Sequence, residues 1–159
     1  GTGALGFEAA SRGSRSVVLI ERDRTAVKSL AAGIEKLPAP QVELVSGDAI
    51  GWLTQAEPGS LDVVFVDPPF ANPWLIVEVL ELLEQRRLVA PGGLVYVETA
   101  VGVTPLVPAA DFTLWREQVI GDVRMVVFKS GETLEVRRET KRARAGRGKT
   151  VDGKGKSAE

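Results

Sequence analysis

Four short β-branched runs alternate with stretches of helical periodicity, and that alternation limits the chain to very few folds. The runs are Val17 to Ile20, Val42 to Val45, Val63 to Val66 and Leu94 to Val97. Their apolar residues follow one another rather than alternating with polar ones, which suits strands buried on both faces. Between the first two runs, Ala26, Val27, Leu30, Ala31, Ile34 and Leu37 recur on one helical face, with Asp23 as N-cap and Pro38 as the stop. A second helix is expected from Asn72-Pro73, turning Leu75, Ile76, Val79, Leu80, Leu82 and Leu83 toward the sheet before Pro91-Gly92-Gly93 turns the chain. Strand and helix in this order require parallel pairing through right-handed crossovers, so a doubly wound α/β layer is expected. Phe112 to Ile120 and Val123 to Lys129, joined at Gly121-Asp122, read instead as a closing antiparallel hairpin.

Composition narrows the chemistry. The 159 residues include no cysteine and no histidine, which excludes a thiolate zinc site, a cysteine nucleophile and a Ser-His-Asp triad. Catalysis must then rest on carboxylates, backbone groups or a cofactor, and no metal is expected. No run of about 18 apolar residues is present to span a bilayer and no signal segment opens the chain, so a cytoplasmic protein without a membrane partner is expected. The net charge of −1 conceals an asymmetry: residues 1–136 carry 11 Lys+Arg against 18 Asp+Glu, whereas residues 137–159 carry 9 against 3. The body is read as one domain, 1–136. The basic remainder, 137–159, is read as a disordered tail, either merely solvated or an arm that releases counterions from phosphates.

The chain opens on Gly1-Thr2-Gly3-Ala4-Leu5-Gly6, followed by helix-compatible Phe7 to Arg12 and a stop at Gly13. Glycines at this spacing permit a tight turn and a close approach of backbone to a ligand, with free N–H groups behind them at a helix start. The motif alone is weak, and an ordinary flexible terminus has the same look. Glu21 strengthens it, because it ends the next strand, where a carboxylate can accept both hydroxyls of a ribose. A nicotinamide dinucleotide and S-adenosylmethionine both carry that ribose.

Asp67-Pro68-Pro69-Phe70 ends the third run, at the carboxyl edge of the sheet where open α/β folds place their ligands. Two prolines fix the backbone and remove two donors, leaving the Asp67 carboxylate and the Pro68 carbonyl as rigid acceptors. Phe70 adds a flat apolar face. Together they fit a planar heterocycle bearing an amino group, stacked on Phe70 with its two N–H bonds directed at Asp67 and Pro68.

In order and spacing, the Gly1 to Gly6 loop, Glu21, Gly47-Asp48-Ala49 and Asp67 to Phe70 resemble the motifs of S-adenosylmethionine-dependent amino-methyltransferases. Gly1 to Gly13 closely resembles the RsmD family of 16S rRNA guanine-N2 methyltransferases, and the likeness extends over about residues 1–130. The resemblance implies a Rossmann-like class I methyltransferase sheet with a C-terminal antiparallel hairpin. It implies Gly1, Gly3 and Gly6 beside the methionine part of S-adenosylmethionine, Glu21 on its ribose and Asp48 at its adenine amine. It implies Asp67, Pro68 and Phe70 as catalytic residues, with Pro69 and Phe70 against the target base. The partner implied is 16S rRNA or a small-subunit assembly particle, and a monomer is expected.

The chain departs from that pattern in three places. The family's basic arm and first strand, which precede the glycine loop, have no counterpart ahead of Gly1; Phe70 stands where Tyr is more frequent; the basic tail maps to nothing in the family. Because the first strand of such a sheet is central, between Val17 to Ile20 and Val63 to Val66, these residues are expected to be the carboxyl-terminal part of a longer protein. Alone they are expected to fold poorly and bind no cofactor. Asp-Pro-Pro-Phe also serves adenine-N6 and cytosine-N4 methyltransferases of DNA, so guanine rests on the glycine-loop likeness; a non-catalytic cofactor- or RNA-binding remnant is the other alternative.

Overall fold

The computed structural model describes residues 1–37, 39–68, 74–103 and 110–131. In chain order they form α1 (Ala4–Ser11), β1 (Val17–Glu21), α2 (Arg24–Lys36), β2 (Val42–Ser46), α3 (Ala49–Leu53), β3 (Leu61–Val66), α4 (Trp74–Gln85), β4 (Val89–Ala100), β5 (Phe112–Ile120) and β6 (Val123–Ser130). β1 pairs with β2 in parallel, and a second sheet has the order β3-β4-β6-β5. β3 and β4 are parallel, whereas β6 is antiparallel to both β4 and β5. This is the expected α/β layer closed by a hairpin, whose turn uses Gly121 at φ 57°. The two sheets share no strand pair. β1 has β2 as its partner and β3 has β4, so each keeps one edge unpaired among the described residues.

Local chemistry explains where elements start and stop. Asp23 caps α2 as read from the sequence, its Oδ1 accepting the N–H of Thr25 at 3.0 Å and of Ala26 at 2.8 Å. Gly3, at φ 74°, opens α1 in the left-handed region; a Cβ there would lie 2.6 Å from Leu30 Cδ2 and 2.9 Å from Phe7 Cε2. At Gly6 a Cβ would lie 2.3 Å from Leu19 Cδ2, so this glycine lets α1 sit close on β1.

Two expectations are corrected. Pro91-Gly92-Gly93 does not turn the chain before the fourth strand but lies within it: β4 begins at Val89, and pairing with β3 jumps from Leu61–Val89 to Val63–Leu94. The segment is a bulge, with Gly92 at φ 79° taking the extra length and Gly93 so close to the Asp62 carbonyl that a Cβ would stand 2.8 Å from it. β3 is also not buried on both faces. Val66 faces α4 and is buried, but Val63 and Phe65 point the other way and remain 48% and 41% exposed, because no described helix covers that face. The expected helix start at Asn72-Pro73 and the tail from 137 lie outside the described residues.

One core unites α4 with β3, β4 and β6: Ile76, Val79, Leu80 and Leu83 from the helix meet Val66, Val95, Val97, Val126 and Phe128 from the strands. Leu83 is 1% exposed in this cluster. Leu83→Ala should lower the unfolding free energy of the full-length protein by about 2–5 kcal/mol in urea titration. A loss below about 1 kcal/mol would place the helix elsewhere than on the sheet.

Candidate active site

Parallel strands end on the same side of a sheet, and both sheets bring acidic residues to that side. β1 ends in Glu21, level with Ser46 at the end of β2; the Gly47 N–H donates to the Glu21 carbonyl at 2.9 Å. The Glu21 side chain is 16% exposed and well held. Its Oε1 accepts the N–H groups of Arg22 and Asp23 at 2.8 and 2.9 Å, and its Oε2 accepts from the Gly1 amine. The hydrogen bond from Gly1 N, then that from the Asp23 N–H, holds the Glu21 carboxyl below its ordinary value against the opposing effect of burial.

Asp48 lies just past β2. Its Oδ2 accepts the Gly51 N–H at 2.9 Å, capping the short α3, an element the sequence reading did not foresee. The helix is five residues long, too short to show a hydrophobic period.

Asp67 and Pro68 follow β3 directly. Asp67 is exposed at the strand end, yet its carboxyl lies above its ordinary value: neighbouring protein withholds part of its water and Glu98 repels its charge. Gly1 N is in contact with the Glu21 carboxylate, and Glu98 acts on Asp67. Pro69 and Phe70 lie outside the described residues.

The sequence reading missed Glu98 and Tyr96. The last rung between β3 and β4 pairs Val66 with Val97, so the next residues along, Asp67 and Glu98, are level across the strand pair. Val66 and Val97 are both buried on the α4 side, which sends Glu98, the next residue of β4, to the opposite face, where its charge acts on Asp67. One step back on that face, Phe65 is level with Tyr96, their rings edge to face at 5.9 Å between centroids. The Tyr96 hydroxyl donates to Glu98 Oε1 at 2.6 Å. Desolvation, and then that hydrogen bond to a carboxylate, push the phenol above its ordinary range, so it stays a donor. A signal was available: after Leu94-Val95-Tyr96-Val97, the next position is a carboxylate, as it is after Val63 to Val66. No group of three or more potential metal ligands occurs among the described residues, and no helix among them is long and apolar enough to cross a membrane.

Residues 1–129 match the family described as conserved hypothetical protein 95. The ribosomal RNA small subunit methyltransferase D of Escherichia coli is 40% identical over 130 residues, which are 81% of this chain and 64% of that protein. Its namesake from Haemophilus influenzae is 32% identical over 133 residues, 82% of this chain and 68% of its own length. The chain thus spans slightly less than two thirds of the Escherichia coli relative. Among solved structures, the Escherichia coli protein yhhF superposes with a TM-score of 0.72 at 36% identity, over 84% of this chain and 72% of its own. TrmN of Thermus thermophilus, at 20% identity and a TM-score of 0.59 over 82% of this chain and 41% of its own, shares the fold.

A carboxyl raised in the folded state binds more protons folded than unfolded, so stability falls as pH rises from the ordinary value of 3.8 through the folded pKa, and the full cost remains above it. Asp67→Asn should therefore make the full-length protein more heat-stable at neutral pH, with the gain shrinking as pH is lowered toward that ordinary value. Calorimetry showing a lower Tm for the variant at neutral pH would contradict the origin assigned to the shift.

Proposed function

The chain belongs to the RsmD family, described as conserved hypothetical protein 95, and from that membership we propose that it transfers a methyl group from S-adenosylmethionine to the exocyclic N2 amine of a guanine in 16S rRNA. The observation that supports the reading is the position of Asp67 and Pro68 directly past the end of β3. The proposed substrate is 16S rRNA or the assembling small subunit, and the proposed compartment is the cytoplasm.

The residues at this edge fit the cofactor. Glu21 is an oriented carboxylate next to the glycine loop, suited to a ribose diol, and the left-handed turn at Gly3 brings backbone where a side chain would collide. Gly1, Gly3 and Gly6 form the wall for the methionine end, with Gly6 acting by letting α1 approach β1. Asp48 is the acceptor for the adenine amine, and α3 holds its carboxylate in place. Bound S-adenosylmethionine supplies an electrophilic methyl on a sulfonium; everything else comes from this chain.

The guanine N2 lone pair is delocalised into the ring and is a poor nucleophile. Asp67 accepts one N–H of the amine and the Pro68 carbonyl accepts the other, which orients the lone pair and stabilises positive charge developing on nitrogen. Two prolines in succession keep these acceptors from relaxing toward other partners. Phe70 stacks on the base, with Pro69 beside it. Asp67 need not be a strong base, because the amine proton becomes acidic only as the new bond forms; its raised pKa nevertheless makes it a better acceptor for that proton.

Asp67→Ala in the full-length protein should reduce methyl transfer on the order of 100-fold or more while leaving S-adenosylmethionine affinity nearly unchanged. Glu21→Ala should do the converse and weaken cofactor binding by about 1–3 kcal/mol in calorimetry. Near-normal turnover in the first variant would remove Asp67 from the reaction; unchanged affinity in the second, or preference for a nicotinamide dinucleotide, would overturn the cofactor assignment.

A further inference from the structure

The amine clamp explains why an amino group is held but not why guanine is chosen, because adenine and cytosine present exocyclic amines too. The three bases differ at the neighbouring ring nitrogen. Guanine carries a hydrogen on N1 beside its N2 amine, whereas adenine N1 and cytosine N3, beside their amines, carry lone pairs. A residue that accepts a hydrogen bond at that position favours guanine and repels the other two.

Glu98 stands where such a residue is needed. It follows the Val66–Val97 rung on β4 as Asp67 follows it on β3, and its charge acts on Asp67. It is half-buried, and Oε1 is fixed by the Tyr96 hydroxyl at 2.6 Å. Tyr96 is held in turn by the edge-to-face contact with Phe65. A carboxylate offers about four acceptor directions, and among the described residues no second side-chain donor reaches this one, so Oε2 can take a ligand hydrogen.

We propose that Glu98 is the residue that selects guanine, its carboxylate accepting the ring N1–H beside the amine held by Asp67 and Pro68; this rests on the functional reading given above. Tyr96 is the positioning residue that keeps Glu98 aimed. Guanine then meets three acceptors with three N–H bonds. Adenine or cytosine in the same place sets a ring lone pair against a carboxylate, which costs both the missing bond and the repulsion. Two carboxylates side by side repel each other, and a ligand that brings a row of donors relieves that repulsion.

The test uses full-length protein and small-subunit RNA carrying, at the methylated position, either guanosine or 2-aminopurine riboside, which keeps the 2-amino group and replaces N1–H with a lone pair. Wild-type kcat/KM should favour guanosine by at least about 100-fold. Glu98→Gln, whose amide can donate to that lone pair, should shrink the ratio to about 10-fold or less with unchanged S-adenosylmethionine affinity. Tyr96→Phe, which retains the ring packing, should raise KM for the guanosine substrate more than it lowers kcat and should also reduce the ratio. A purely structural role for either residue would slow both substrates alike. If wild-type protein leaves guanine N2 unmethylated, the functional reading itself falls; if it methylates guanine and both variants keep the wild-type ratio, the role of Glu98 alone is overturned.

Discussion

Everything at the candidate site depends on the parallel register of β3 against β4. The rung Val66–Val97 turns both side chains into the core against α4, and the alternation of β4 then commits Glu98 to the opposite face, while Asp67 follows directly on the end of β3. A slip of one residue in either strand would bury a carboxylate against Ile76 and Leu80 and expose a valine instead. The apolar core is thus what aims the polar site. The bulge at Pro91 to Gly93 belongs to the same arrangement, because it absorbs the mismatch between the start of β4 and β3 and lets the later rungs run in register.

Much of this was legible in the sequence because it is written in local chemistry. Asp23 before a periodic apolar face is a helix start wherever it occurs, and Gly121-Asp122 between two β-branched runs is a hairpin turn. The position of Asp67 and Pro68 at a strand end was legible because a β-branched run stops directly before them. What stayed hidden depends on tertiary neighbours. The exposure of Val63 and Phe65 reflects which face α4 covers, and apolar continuity cannot report that. The pairing of Tyr96 with Glu98 spans only two residues, yet its importance comes from Asp67 on the adjacent strand, thirty-one positions earlier in the chain. Pro91-Gly92-Gly93 has the composition of a turn and becomes a bulge because β4 pairs with β3 on both sides of it, at Leu61–Val89 and again from Val63–Leu94.

The electrostatic character of the candidate site bears on how the proposed RNA substrate would reach it. Glu21, Asp67 and Glu98 make the carboxyl edge acidic, so a phosphate is repelled there and a row of base N–H donors is attracted. That division suits an enzyme that must draw in a base edge while leaving the sugar-phosphate chain outside. Attraction for the phosphates of the proposed RNA substrate would come from other surfaces; residues 137–159, read either as a solvated tail or as a counterion-releasing arm, carry 9 Lys+Arg against 3 Asp+Glu.

The most direct test of the central claim, that the end of β3 presents a guanine amine for methylation, is to identify the product. Full-length protein, S-adenosylmethionine with a labelled methyl group, and undermethylated small subunits, naked 16S rRNA or DNA would be incubated in parallel, and the nucleosides released by digestion identified by mass spectrometry. The account predicts label in N2-methylguanosine from a small-subunit substrate and none from DNA. Label in N6-methyladenine or N4-methylcytosine, or no transfer to any of the three, would contradict it.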